Sequence, residues 1–380
     1  MLRRACDQLS YYLAVSASVI IMETTSQLQV LDNGSKAKEF CKTDQIISLP
    51  NGITMAYQVY ELQHGVRVGA GMTVPTENIS SKEKILMVMG FAASGAAWLP
   101  TVKELFSRGD KVADLEVAVF DNRGIGQSSC PSSKTQYTTD IMAADALALM
   151  DHLGWRKAHV VGHSMGAMIA SRLTLQAPGR VASLTLISTT GGGKEAIPLN
   201  VRALVAGLKG AFARGRTFDP VKRAKADLAF HFSPKLLKTR DPVTGRSVRD
   251  LLVEEYVAVS KETGPQSREG EEGHLNAVMT HKLTASERQQ LATLGIPIKL
   301  IHGSEDILAE LRHARRLARD LRAPLVVVDG AHFIPRDCAH QIVDELLNTI
   351  EVVRQGGTHA DAVYPAFDEA TCFSRCFCCA

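Results

Sequence analysis

From about Gln45 onward, apolar and polar positions follow a regular order. Residues 45–49 and 53–62 read as strands, and Pro50-Asn51-Gly52 between them is a turn signal that folds them into a hairpin. Residues 84–89 form a short apolar run ending at Gly90, the pattern of a strand buried in a parallel sheet. Residues 115–120 and 158–161 share that character. Between them, Ile141, Leu147, Leu149 and Met150 fit an amphipathic helix over 140–153. A helix over 167–176 and a strand over 181–187 continue the alternation. Strand alternating with helix predicts the α/β class, with a mostly parallel central sheet and helices on both faces.

The alternation breaks after residue 190. Residues 191–294 carry helical stretches at 201–214, 220–232, 248–261 and 275–290, with Gly191-Gly192-Gly193 and Gly295-Ile296-Pro297 as punctuation. Strand character returns at 298–302 and 325–329, on either side of an arginine-rich helix, and a last helix spans 338–353. The expected organisation is an N-terminal extension over 1–44, a first core part over 45–190, an inserted helical cap over 191–295, a second core part over 296–355 and a cysteine-rich tail over 356–380. No internal repeat interrupts it.

Composition narrows the class. A chain that is 45% hydrophobic and 22% charged is that of a globular protein with a sizeable core. Lysine and arginine (43) barely exceed aspartate and glutamate (40), so a nucleic-acid partner is not expected. Arg312, Arg315, Arg316, Arg319 and Arg322 read as the solvated face of one helix. Of eight cysteines, Cys6, Cys41, Cys130 and Cys338 are scattered, while Cys372, Cys376, Cys378 and Cys379 crowd the end. That is no disulfide framework, and a reducing, cytoplasmic setting is the expectation. Arg3 and Arg4 precede an apolar stretch over 11–22 that has the length of a signal-peptide core, although Asp7, Ser16 and Ser18 cut across it. Secretory or organellar targeting and a disordered extension both stay open. The stretch is short for a membrane span.

The sharpest chemical signal is Gly162-His163-Ser164-Met165-Gly166, placed between an apolar strand and a helix rich in small residues. A serine hydroxyl attacks only when a base removes its proton, so its oxygen must project to where a histidine reaches it. A sharp strand-to-helix turn provides that exposure, and Gly162 and Gly166 relieve the crowding it creates. Two later loops follow strands in the order that such a site needs: His302-Gly303-Ser304-Glu305-Asp306 and Gly330-Ala331-His332-Phe333. Asp306 is the candidate acid, with Glu305 and Glu310 as alternatives, and His332 the candidate base toward Ser164. The Met165 N–H and the Phe91 N–H, in the loop after the strand over 84–89, are the candidate oxyanion-hole donors. His163 and His302 read as packed histidines.

These residues resemble the α/β-hydrolase family over about residues 45–353. Met89-Gly90-Phe91-Ala92-Ala93-Ser94-Gly95 is similar to the family's oxyanion loop, with Met89 where a histidine is usual. Phe120-Asp121-Asn122-Arg123-Gly124-Ile125-Gly126-Gln127-Ser128 is similar to its D-x-R-G-x-G-x-S turn, which the resemblance marks as structural. The likeness is nearest to plant, algal and bacterial members of the hydrolase-1 group, many of them uncharacterised, in which Asn276-Ala277 and His281-Lys282-Leu283-Thr284 have close counterparts. His274 and His281, seven residues apart, either line the pocket or serve helix packing and capping. The resemblance implies a serine hydrolase acting on a carboxylic ester, lactone or acylglycerol with an apolar acyl or alkyl group. A ligand receptor on the same scaffold and a non-hydrolytic or carbon–carbon-cleaving member remain alternatives. No GxGxxG, P-loop or HExxH motif occurs, so neither cofactor nor metal is expected. The terminal cysteines, with Phe373, Arg375 and Phe377, fit reversible S-acylation and membrane docking; a metal-binding role or a functionless tail are the other readings. Phe377 occupies the fourth position from the end, where prenylation needs a cysteine.

Overall fold

A strand that is apolar at every position needs cover on both faces. The computed structural model, which describes residues 40–62, 82–198, 200–205, 219–263 and 266–358, supplies that cover. Most of the N-terminal extension, residues 206–214 of the helix expected over 201–214, and the tail cysteines lie outside the described residues. The strands are β1 (Phe40–Ser48), β2 (Thr54–Leu62), β3 (Glu83–Val88), β4 (Leu115–Phe120), β5 (Ala158–His163), β6 (Val181–Ile187), β7 (Ile298–Gly303) and β8 (Leu325–Val328). They form one sheet in the order β1-β2-β4-β3-β5-β6-β7-β8. β1 and β2 pair antiparallel as the expected hairpin, and β2 is antiparallel to β4. Every other pairing is parallel.

The helices are α1 (Leu99–Ser107), α2 (Thr139–His152), α3 (Met165–Gln176), α4 (Pro220–His231), α5 (Pro234–Lys238), α6 (Val248–Thr263), α7 (Arg268–Thr280), α8 (Ala285–Ala292), α9 (Leu311–Leu321), α10 (Ile334–Asp337) and α11 (Ala339–Arg354). Alternate strand residues go to opposite faces. Ile85, Met87, Val117 and Ile301 meet Trp98, Phe106, Ile342 and Leu346 beside α1 and on α11. Leu86, Val88, Ala118 and Leu300 meet Met142, Leu149, Leu173 and Leu317 on α2, α3 and α9. This double burial is why the central strands read as unbroken apolar runs. No helix among the described residues is long and apolar enough to cross a membrane.

Between β6 and β7 the described residues carry helices α4 to α8 and no named strand. The single helix expected over 275–290 is two helices, α7 and α8. Thr284 caps α8 reciprocally with Glu287, and the preceding turn is held by a bridge from Lys282 to Gly192. A capping box in mid-pattern was the local mark of this break. Apolar periodicity alone runs straight through it, since Val278 on α7 and Leu291 on α8 pack against one core.

The turn after β4 is locked by a buried ion pair. Arg123 Nε lies 2.6 Å from Asp145 Oδ2 and Nη2 lies 2.7 Å from Oδ1, with side chains only 4% and 2% exposed. Asn51 Nδ2 also donates to Asp145 Oδ1 at 2.7 Å, tying the hairpin turn to α2. Asp145→Ala leaves the guanidinium buried and unpaired, and a loss of about 3–5 kcal/mol is expected. Urea unfolding of the purified variant measures it; a loss below about 1 kcal/mol would mean that the pair is dispensable.

Candidate active site

Ser164 sits between β5 and α3 with φ 55° and ψ −119°, a conformation that side chains rarely adopt. Three of the four described non-glycine residues with positive φ, Ala92, Ser164 and Ser188, follow β3, β5 and β6 directly or within a few residues. Strain of this kind persists only where surrounding structure enforces it. The flanking glycines permit the turn. A Cβ on Gly162 would lie 2.4 Å from the Gly166 carbonyl oxygen, and one on Gly166 would lie 2.0 Å from that of Val88.

The loops after β7 and β8 bring their side chains to the serine. Gly303 lets them touch, since a Cβ there would lie 2.0 Å from the Ala331 carbonyl oxygen. His332 Nε2 stands 2.9 Å from Ser164 Oγ, and His332 Nδ1 stands 2.8 Å from Asp306 Oδ2. Asp306 Oδ1 accepts from the Leu308 and Ala309 amides at 2.8 and 2.9 Å. The carboxylate is wholly buried. Burial alone would raise its pKa, but the charge and hydrogen bond of His332, the nearby His302 and the Ala309 amide together hold it below the ordinary value. An ionised Asp306 accepts a hydrogen bond from the His332 Nδ1–H, which leaves the Nε2 lone pair free to take a proton from the serine. The alternatives to Asp306 are engaged elsewhere: Glu305 pairs with Arg202 and Glu310 with Arg312.

His163 and His302 are packed. His163 Nε2 donates to the His332 carbonyl at 2.9 Å, and the ring lies edge-on to Trp98 and Phe333. Burial, then the positive potential of His332, pushes its pKa down to about 3. His302 Nε2 donates to the Ala309 carbonyl at 2.6 Å.

Gly90 lies against the elbow, where a Cβ would approach Ser164 Cβ to 3.1 Å. Neither the Phe91 nor the Met165 amide has an acceptor outside regular secondary structure among the described residues. The next amide, Ala92, donates to His274 Nδ1 at 3.0 Å, and His274 Nε2 donates to the Arg123 carbonyl at 2.7 Å. His274 therefore clamps the loop after β3 to the turn after β4. His281 pairs through Nδ1 with Thr139 Oγ1 at 2.9 Å. Neither histidine lines the cavity above Ser164; both serve packing.

That cavity holds about 120 Å³ and is walled mainly by Phe91, Met168, Leu275, Val278, Met279 and Leu308. Thr189, Thr190 and His231 add polar groups. Sequence reading did not single out His231. It ends a helix without any motif, and only the fold carries it over the site.

The family model of the alpha/beta hydrolase fold matches residues 84–335. Among curated relatives, "Putative carbamate hydrolase RutD" of Caulobacter segnis is 34% identical over 110 residues, covering 29% of this chain and 39% of that protein. The match thus spans about two fifths of that relative's length. "Putative non-heme bromoperoxidase BpoC" of Mycobacterium tuberculosis is 27% identical over 237 residues, covering 62% of this chain and 80% of that one. Among solved structures, the enol-lactonase from Burkholderia xenovorans LB400 superimposes with a TM-score of 0.59 at 22% identity, over 81% of this chain and 100% of that one. At that identity the likeness is one of fold.

Proposed function

The chain belongs to the α/β-hydrolase fold family, and from that premise we propose that it is a cofactor-free serine hydrolase cleaving a small carboxylic ester or lactone through an acyl-enzyme. The supporting observation is the unbroken series Ser164 Oγ, His332 Nε2, His332 Nδ1, Asp306 Oδ2, with links of 2.9 and 2.8 Å. In this reading Ser164 Oγ attacks the carbonyl carbon while its proton passes to His332 Nε2. Asp306 stabilises the resulting imidazolium without taking its proton. The Phe91 and Met165 amides receive the negative charge on the carbonyl oxygen. Collapse breaks the bond to the leaving oxygen, which takes the proton from His332. Water then repeats the sequence, releasing the acid and restoring the serine.

The cavity limits what fits. At about 120 Å³ it is slightly smaller than a cavity of about 150 Å³ that accommodates benzene. The enclosed part of the cavity therefore suits an acyl or alkyl group of about six carbons.

A fluorophosphonate probe is expected to label the wild type and to spare Ser164→Ala; labelling of both would overturn the assignment. His274→Phe tests the loop clamp. It removes the acceptor of the Ala92 amide next to the proposed Phe91 donor, and a fall in kcat of about tenfold to a hundredfold, with a smaller change in KM, is expected. Steady-state kinetics on a short ester check this, and an unchanged kcat would show that the clamp does not set the donor.

A further inference from the structure

Of the titratable side chains that line the cavity beyond the proposed triad, His163 is tied through Nε2 to the His332 carbonyl, with its Nδ1 unpaired among the described residues, and Glu195 pairs with Arg316. His231, the last residue of α4, is different. It is 6% exposed, and its ring centre lies 6.2 Å from that of His332 and 6.3 Å from that of Phe333. Its position is enforced, because its carbonyl accepts the Phe333 amide at 3.0 Å and so ties the end of α4 to the loop that carries His332. Its Nδ1 is buried without a hydrogen-bond partner among the described residues. No hydrogen bond between described residues engages its Nε2.

A neutral imidazole offers one N–H and one lone pair. Burial, followed by the neighbouring His332, pushes the His231 pKa down to about 3, against a pull from the Asp227 carbonyl one turn back. The ring is therefore uncharged at neutral pH and has no charge with which to hold a carboxylate. The Asp227 carbonyl acts on the ring from one turn back but closes no hydrogen bond with Nδ1, and the tautomer with its proton on Nδ1 presents the Nε2 lone pair to a ligand. Nε2, which no described residue bonds, can be matched by a hydroxyl on a ligand, a contact that a phenylalanine or leucine at this position could not make.

We propose that His231 is a specificity-determining residue whose Nε2 accepts a hydrogen bond from an uncharged hydroxyl on the substrate, within a few bonds of the scissile carbonyl. This rests on the serine-hydrolase reading and narrows it to short hydroxy esters and their lactone counterparts. The three probes are ethyl butyrate, ethyl 3-hydroxybutyrate and ethyl 3-methoxybutyrate, which share chain length and differ in the donor. The wild type is expected to prefer the hydroxy ester over the methoxy ester by about tenfold or more in kcat/KM. In His231→Leu that preference falls to within about twofold, chiefly through KM, and His231→Gln, which retains an acceptor oxygen, keeps part of it.

A wild type without the preference, or a preference that survives in His231→Leu, overturns the proposal. So does an equal fall for both esters through kcat alone, which would mark His231 as a positioning residue for His332. If the leucine variant does not fold, His231→Phe provides the same comparison with a ring in place. Fluorophosphonate labelling of wild-type Ser164 separates the two levels. Labelling without hydroxyl preference defeats this inference alone, and absence of labelling defeats the serine reading beneath it.

Discussion

Ser164→Ala and His332→Ala are each expected to lower kcat by about 10^5- to 10^6-fold, and the double variant by no more than either single one. The non-additivity follows from the geometry. With Ser164 Oγ and His332 Nε2 2.9 Å apart, the hydroxyl is useful only through the base and the base only through the hydroxyl. Asp306→Asn is expected to cost about 10^4-fold. An amide has one acceptor oxygen where the carboxylate has two, so if that oxygen keeps the Leu308 and Ala309 amides its NH2 faces His332 Nδ1 as a donor. The His332 ring then loses its fixed tautomer. These variants test chemistry and not folding if their melting temperatures stay near that of the wild type. Single-turnover kinetics on a short activated ester give kcat, and independent, multiplying effects of Ser164→Ala and His332→Ala would mean that the two residues do not act as a unit.

Much of this arrangement is legible in the sequence. Strands buried on both faces announce themselves as apolar runs, and β3, β4, β5, β6 and β7 all do so. The loops bearing Ser164 and Asp306 each follow such a strand and that bearing His332 follows the half-buried edge strand β8, so that a parallel sheet delivers all three to one edge. What was not legible depends on partners far away in the chain. The Ala92 amide meets a histidine 182 residues later, and no local pattern at His274 marks it as a clamp and not a pocket wall. His231 is harder still, since its helix has no motif and its place over His332 comes from the packing of Ala224, Leu228 and Phe232 and a backbone bond to Phe333. The α7–α8 break had a local sign, the Thr284–Glu287 box, that apolar periodicity overran. The motif-bearing loops are encoded locally; the cavity is encoded by packing.

Acid is expected to unfold the protein in a window set by histidines. Burial is the largest cause pushing His163, His231 and His281 down to a pKa of about 3 and His274 to about 4. His302 shifts in the same direction. In an unfolded chain these groups titrate near 6.5. Between the two values the unfolded state binds protons that the native state refuses, so stability falls as pH falls, by about 1.4 kcal/mol per pH unit for each group. Asp337 works in the opposite sense. Its burial raises its pKa to about 7, so on acidification the native form takes up a proton that the unfolded form does not, and gains stability with the slope of one group. Asp306, held low, adds a loss only below the ordinary aspartate range, outside this window. Four histidines against one carboxyl leave a net slope that approaches three protons, or about 5 kcal/mol between pH 6.5 and 5. That is comparable with the whole stability of a typical domain, about 5–15 kcal/mol. Guanidinium unfolding at pH 7, 6 and 5 measures the slope, and His281→Gln should reduce it by about one proton because that ring packs on Thr139 away from the cavity. Stability that is flat or rises from pH 7 to pH 5 would show that these imidazoles are already protonated in the folded protein, and that the apolar surroundings of His231 and His274 do not keep them neutral.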